Sequence, residues 1–155
     1  MPAGSDVPPL PHTFRPFGVR LAVYVFGAFL LVVAAVVWFA FPADVRARFD
    51  VLQRLTLLGF GIGGAVAGHA LARCRVRVTD DEVEVVNGYR THRYHWNQVV
   101  GVSLRPGSPW AVLDLADGTT VAAMGIQGSD GARAVGQARA LRRLVLLKTT
   151  PEQDD

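Results

Sequence analysis

"RVRVTDDEVEVVNGYRTHRYHW", Arg75 to Trp96, can be read in two ways. As a cluster, its segment Asn87 to Trp96 gathers two histidines, two arginines and three aromatic residues, as a binding or metal site would. As strands, the same residues divide between two faces, because successive side chains of a strand point to opposite sides. The periodicity favours strands. Val76 and Val78 alternate with Arg75 and Arg77, and Val83 and Val85 alternate with Glu82 and Glu84. Asp80-Asp81 is a plausible two-residue turn between the two runs.

This turn pairs Val78 with Val83 and Val76 with Val85, and sets Arg77 opposite Glu84, a favourable cross-strand pair. A loop over Asn87, Gly88, Tyr89 and Arg90 then opposes Val85 to His92, Val83 to Tyr94 and Glu84 to Arg93. A shorter Asn-Gly turn would mix the faces, and register follows the buried pattern. One face is expected to carry His92, Tyr94 and Trp96 with the valines, the other an ionic ladder of Arg77, Glu84 and Arg93. His92 and His95 are an odd number apart and point to opposite sides, so they cannot jointly hold a metal within one strand.

Further strands follow at Val100 to Leu104, Trp110 to Leu115 and about Thr119 to Met124. Ala116-Asp117-Gly118 makes the last hairpin, with glycine at the left-handed position, and pairs Leu113 with Val121 and Leu115 with Thr119. A helix from about Asp130 to Lys148 closes the segment. Ser129 or Asp130 can cap it, and Ala134, Ala138, Leu141 and Val145 form its core stripe. Six strands are counted.

Upstream the character changes. Leu21 to Phe41 is a run without charge or proline, long enough for the ~20 apolar residues that cross a hydrocarbon core. Leu55 to Ala72 is a second uncharged run, and Pro42 to Arg54 between them suits a tight helical hairpin. The first run is too long, and lacks a convincing small-residue cleavage site, for a cleaved signal peptide. Arginines are more numerous in the outer flanks (Arg15, Arg20, Arg73, Arg75, Arg77, Arg90) than in the loop (Arg46, Arg48, Arg54), which predicts a two-helix membrane protein with both termini in the cytoplasm. Gly59, Gly61 and Gly64 satisfy a dinucleotide fingerprint in spacing only, since no strand precedes them. Gly59 with Gly63, and Gly64 with Gly68, read better as close helix packing, within the chain or between copies. His69, the one Asp, Glu, His, Lys or Arg in the two runs, lies near a helix end, where it can reach the interface.

The expected organisation is a disordered, proline-rich lead-in over 1–20, membrane helices at 21–41 and 55–72, a sheet-and-helix domain at 73–148 and an acidic tail at 149–155. Composition agrees: the chain has 155 residues, of which 50% are hydrophobic and 19% charged. Its one cysteine, Cys74, excludes an intrachain disulfide and a cysteine-rich metal centre. The Gly-rich entry to the last helix lacks the Gly-Lys-Ser/Thr of a P-loop. No nucleophile–base pair, metal cluster or paired carboxylate stands out, so no enzyme, cofactor or metal is expected. From Arg73 to Lys148 there are eleven basic and seven acidic residues, too balanced for a nucleic-acid surface.

An antiparallel meander of six or seven strands closed by a C-terminal helix is the pleckstrin-homology plan, an α+β sandwich or barrel. "VTDDEVEVVNG" (Val78 to Gly88), "HWNQVVGV" (His95 to Val102) and "RPGSPWAVLDLADG" (Arg105 to Gly118) resemble the bacterial PH-like domain of the low molecular weight protein antigen 6 family. That family is actinobacterial, and its members commonly carry two membrane helices before the domain. At Gln98 it is often acidic and at His95 often proline, so this chain departs there. The resemblance implies no reaction and no settled ligand.

The expected function is a membrane-anchored interaction module whose partner is another protein or a second copy, with the loop of Arg105, Pro106 and Trp110 as candidate surface. The alternative is a sensor of anionic lipid headgroups or small ligands using Arg73, Arg75, Arg77 and Arg93. Phosphoinositide selectivity is not expected, because the first hairpin carries Asp80, Asp81 and Glu82, which repel a phosphorylated headgroup.

Overall fold

The structure, a computed structural model, describes residues 7–149. The chain divides into two units: one combines 1–18 with 73–155, the other is 19–72. The first unit is therefore interrupted in sequence by the second.

In the interrupting unit, α1 (Gly18–Ala40) and α3 (Val51–Ala72) flank a short α2 (Ala43–Arg48). Both long helices have the length and apolar composition to cross a membrane. α3 starts four residues before the uncharged run. Asp50 and Gln53 explain the extension: the Gln53 amide donates to Asp50 Oδ1 at 2.7 Å and the Asp50 amide to Gln53 Oε1 at 3.2 Å. This reciprocal pair caps the helix and draws Arg54 into its first turn. Arg54 in turn donates to the carbonyls of Phe49 and Arg46, each at 3.0 Å, and fastens the connection.

The domain is built from two antiparallel sheets. The first has the order β1 (His12–Phe14), β2 (Arg75–Val78), β3 (Glu82–Asn87), β4 (Arg90–His95); the second has β5 (Val99–Ser103), β6 (Trp110–Leu115), β7 (Thr120–Gln127). α4 (Ala132–Thr149) packs its buried stripe, Ala134, Ala138, Leu141, Leu144 and Val145, into the core between them. Apolar burial of this kind is the main stabilising term in a small domain. The register is the expected one at every position named above: Val78 opposes Val83, Val76 opposes Val85 and Arg77 opposes Glu84. Val83 opposes Tyr94, Glu84 opposes Arg93 and Val85 opposes His92. Gly88, at φ +61°, makes the β3–β4 turn with Tyr89 in a backbone conformation that other residues rarely adopt.

The expectation for the lead-in needs correction. His12, Thr13 and Phe14 pair with Val78, Arg77 and Val76, giving the seventh strand, and Phe14 is buried in the core. The prolines around this segment are compatible with an edge strand, where a missing N–H costs no ladder bond. The expected acidic tail falls largely outside the described residues; Thr149, its first member, is the last residue of α4.

The sheets close on each other where β7 crosses β2 and β3. A Cβ built on Gly125 would lie 2.5 Å from the carbonyl carbon of Arg75 and from the nitrogen of Val76, so only glycine permits this approach. At the other end, the indole of buried Trp96 donates to the Thr79 carbonyl at 3.1 Å. Arg142 of α4 donates twice to the Val102 carbonyl, at 2.9 and 2.7 Å, tying the helix to β5.

Candidate functional site

The residues singled out in the sequence fall on three parts of the domain surface. The first is the outer face of β2–β4. Glu84 is buried, against the expectation of an exposed ladder, and accepts from Arg75 at 3.3 Å and from Arg93 at 3.2 Å. Arg77 holds the register position opposite Glu84 on β2, but the ion pairs are formed by Arg75, on the diagonal, and by Arg93, directly opposite on β4. Arg75 and Arg93 thus converge on one carboxylate, and their charge is already partly answered within the protein.

His92 corrects the expected inner face. It opposes Val85, yet it is exposed and stacks on half-buried Tyr94, with ring centroids 6.4 Å apart. The reason is position: β4 is the outer strand of its sheet, and its apolar complement shrinks to Tyr94 and to Trp96 just beyond it. Burial pushes the Tyr94 phenol above its ordinary pKa, and the negative charge of Asp117 adds to the effect. His95 caps the turn at Trp96–Gln98, its own amide donating to Gln98 Oε1 at 2.9 Å. Among the described residues, no three His, Cys, Asp or Glu side chains come together as a metal site would require.

The second surface is the loop between β5 and β6. Arg105 and Pro106 are exposed and Trp110 is half-buried. The loop rests on Gly128, whose amide donates to the Pro109 carbonyl at 2.9 Å. Beside it lies a shallow cleft of about 240 Å³ lined by Ser103, Arg105, Ser108, Val112, Asp114 and Thr120. Its mixture of hydroxyls, one guanidinium and one carboxylate suits polar peptide-like groups better than a polyanion.

The third surface was missed in the sequence. Arg73 does not join Arg75, Arg77 and Arg93; its guanidinium lies 5.1 Å from the ring centroid of Tyr89 in the β3–β4 turn. Arg133 lies 5.3 Å from the ring of Phe17. Asp130, one of the two expected caps of α4, instead accepts from the amides of Phe17 and Gly18, both at 2.8 Å. Contacts between residues so distant in sequence leave no spacing signal.

The glycines of α3 divide similarly. A Cβ on Gly68 would approach Val23 of α1 to 3.1 Å, whereas Gly59, Gly63 and Gly64 have open space before them. Gly68 thus packs closely against α1 within the chain, and Gly59, Gly63 and Gly64 do not.

The meander, its register and the closing helix meet the comparison that decides the family. Residues 73–144 match the bacterial PH domain. Uncharacterized proteins of Mycobacterium bovis and Mycobacterium tuberculosis are each 35% identical to the chain over 134 residues, covering 84% of it and 86% of the relative. The chain belongs to the bacterial PH domain family. No solved structure matches it significantly. The match begins at Arg73, where the bacterial PH domain resumes after α3, and does not include β1. Strand β1 is thus a part of the domain that the structure shows outside the matched residues.

Proposed function

We propose that this bacterial PH domain protein is a non-catalytic interaction module tethered to the membrane. Its two long helices cross the bilayer as a hairpin, and the domain docks a protein partner at the cytoplasmic surface. Within the bacterial PH domains we place it with the low molecular weight protein antigen 6 group, on the three segments quoted above. The observation that carries the reading is the pairing of β1 with β2. One sheet is assembled from residues on both sides of the hairpin, so a hairpin that crosses twice returns the chain to the side it left. The arginine-rich flanks then favour the cytoplasm for both termini. Uncovered strand edges supply the general docking mechanism, an added strand held by main-chain hydrogen bonds. The loop of Arg105, Pro106 and Trp110, beside the Ser103–Asp114 cleft, supplies the side chains that would select the partner.

The test is photo-crosslinking in intact membranes from position 106 of the full chain, with position 81 as control. A discrete protein adduct at 106 that is lost in Arg105→Glu supports the reading; equal, diffuse labelling from both positions contradicts it. The alternative of an arginine-based anion sensor is weakened on β2–β4 by Glu84, which already occupies Arg75 and Arg93.

A further inference from the structure

The two ends of the domain differ in chemistry. Because β1 runs antiparallel to β2, with Phe14 opposite Val76 and His12 opposite Val78, residues 15–18 and 73–75 leave the sheet at the same end. The β3–β4 turn is at that end too, since Val86 opposes Arg75 and the Gly88 amide donates to Cys74 Sγ at 3.2 Å. This end therefore holds both points at which the chain departs for the hairpin. It also holds two arginine–aromatic pairs, one at each departure point. Arg133 lies over Phe17, which immediately precedes α1, and Arg73, which immediately follows α3, lies over Tyr89. Phe17 is 57% and Tyr89 55% exposed, and Arg90 beside Tyr89 is exposed as well. The opposite end is the acidic β2–β3 turn, closed by the Thr79 amide donating to the Glu82 carbonyl at 2.9 Å, with Asp80 bonded to Lys148 at 3.2 Å.

We infer that the end carrying Phe17, Arg73, Tyr89, Arg90 and Arg133 is seated in the anionic headgroup layer of the bilayer that the hairpin crosses. The inference rests on the membrane reading of the hairpin and adds to it a defined docking face. Large rings left half in water are what an interfacial layer accepts, with the ring against glycerol and upper acyl groups. A guanidinium lying over a ring keeps its N–H edge free for phosphate oxygens, which it meets in bidentate fashion. The acidic turn points away, so Asp80, Asp81 and Glu82 neither repel the headgroups nor read them. The attraction follows surface charge density and not headgroup identity.

The experiment uses the full chain in nanodiscs of equal parts phosphatidylglycerol and phosphatidylcholine. Spin labels are placed through Tyr89→Cys, Asp81→Cys and Leu30→Cys. Cys74, 1% exposed, stays unlabelled in the folded protein. Collisions with lipid-dissolved oxygen and with an aqueous nickel chelate report depth. The expected result is Leu30 in the hydrocarbon, position 89 at headgroup depth and position 81 in water. Arg73→Gln combined with Arg133→Gln should move position 89 into water, as should pure phosphatidylcholine. Leu30 in lipid with position 89 as accessible to nickel as position 81 overturns the docking face alone. Leu30 in water overturns the membrane reading as well.

Discussion

The Asn87 carboxamide joins the two sheets to each other: its Nδ2 donates to the Ala122 carbonyl at 2.6 Å, and its Oδ1 accepts from the Met124 amide at 3.1 Å. Asn87 ends β3 and the two backbone groups belong to β7, so one side chain does the work of a ladder bond where no strand pairs. Asn87→Ala would leave a part-buried donor and acceptor unmet, at about 1–3 kcal/mol together. Chemical denaturation of the full chain in detergent should show that loss. Asn87→Asp keeps the acceptor for Met124 but sets a carboxylate oxygen against the Ala122 carbonyl, and should cost at least as much as Asn87→Ala.

Gly125 and Gly136 make a contrasting pair. At Gly125 a methyl group would press into the β2 backbone, which cannot yield as a side chain would, so Gly125→Ala should cost about 3 kcal/mol or more. At Gly136, in the middle of α4, a methyl group meets nothing within 4 Å. Gly136→Ala should stabilise by up to ~1 kcal/mol through helix propensity. Thermal melts of the two variants should move in opposite directions.

Val85 and Glu84 test the two faces of β3. Val85→Asp puts an unpaired charge at a fully buried position and should prevent folding, read as loss of the melting transition. Glu84→Ala is milder, because Arg75 and Arg93, with side chains 34% and 64% exposed, can return to water. A cost of about 1–2 kcal/mol is expected, above that of an exposed pair because the carboxylate itself is 11% exposed.

The strand register was legible in the sequence because it follows from local chemistry: valines at alternate positions, the Asp80-Asp81 turn, and glycine at 88 and 118. Three features were not. Thr13 and Phe14 sit in a proline-rich segment with no alternating run, and their partners lie across the whole hairpin. His92 follows the apolar alternation but occupies an outer strand, where alternation no longer ensures burial. Asp130 precedes a helix and has the chemistry of its cap, yet the amides of Phe17 and Gly18 take it. In each case a tertiary contact outweighed a local signal that pointed elsewhere. The candidate site was less legible than the fold, because arginines were grouped by nearness in sequence, and Arg73 and Arg133 find their aromatic partners only through the topology.

Tyr94 gives a pH dependence with a defined sign. Its pKa is raised, first by burial and then by Asp117, so the folded protein keeps the phenolic proton beyond the pH at which the unfolded chain releases it. The contribution to stability is fully present below the unfolded value of about 10 and is lost as pH rises through the folded value. Melting temperatures followed from about pH 9 upward should fall less steeply in Tyr94→Phe than in the parent chain.

One PH domain is assembled across the helical hairpin that interrupts it, and the pair Thr13 and Arg77 reports on that assembly. These residues are opposed across β1 and β2, and directly opposed antiparallel residues have Cα atoms roughly 4.5–5.5 Å apart, within reach of a disulfide. The measurement is oxidative crosslinking of the full chain in membranes carrying Thr13→Cys and Arg77→Cys, with Thr13→Cys and Asp81→Cys as control. An intramolecular crosslink is expected in the first chain and none in the second. Failure of the first pair to crosslink, with position 13 labelled only from the side opposite to position 77, would contradict it.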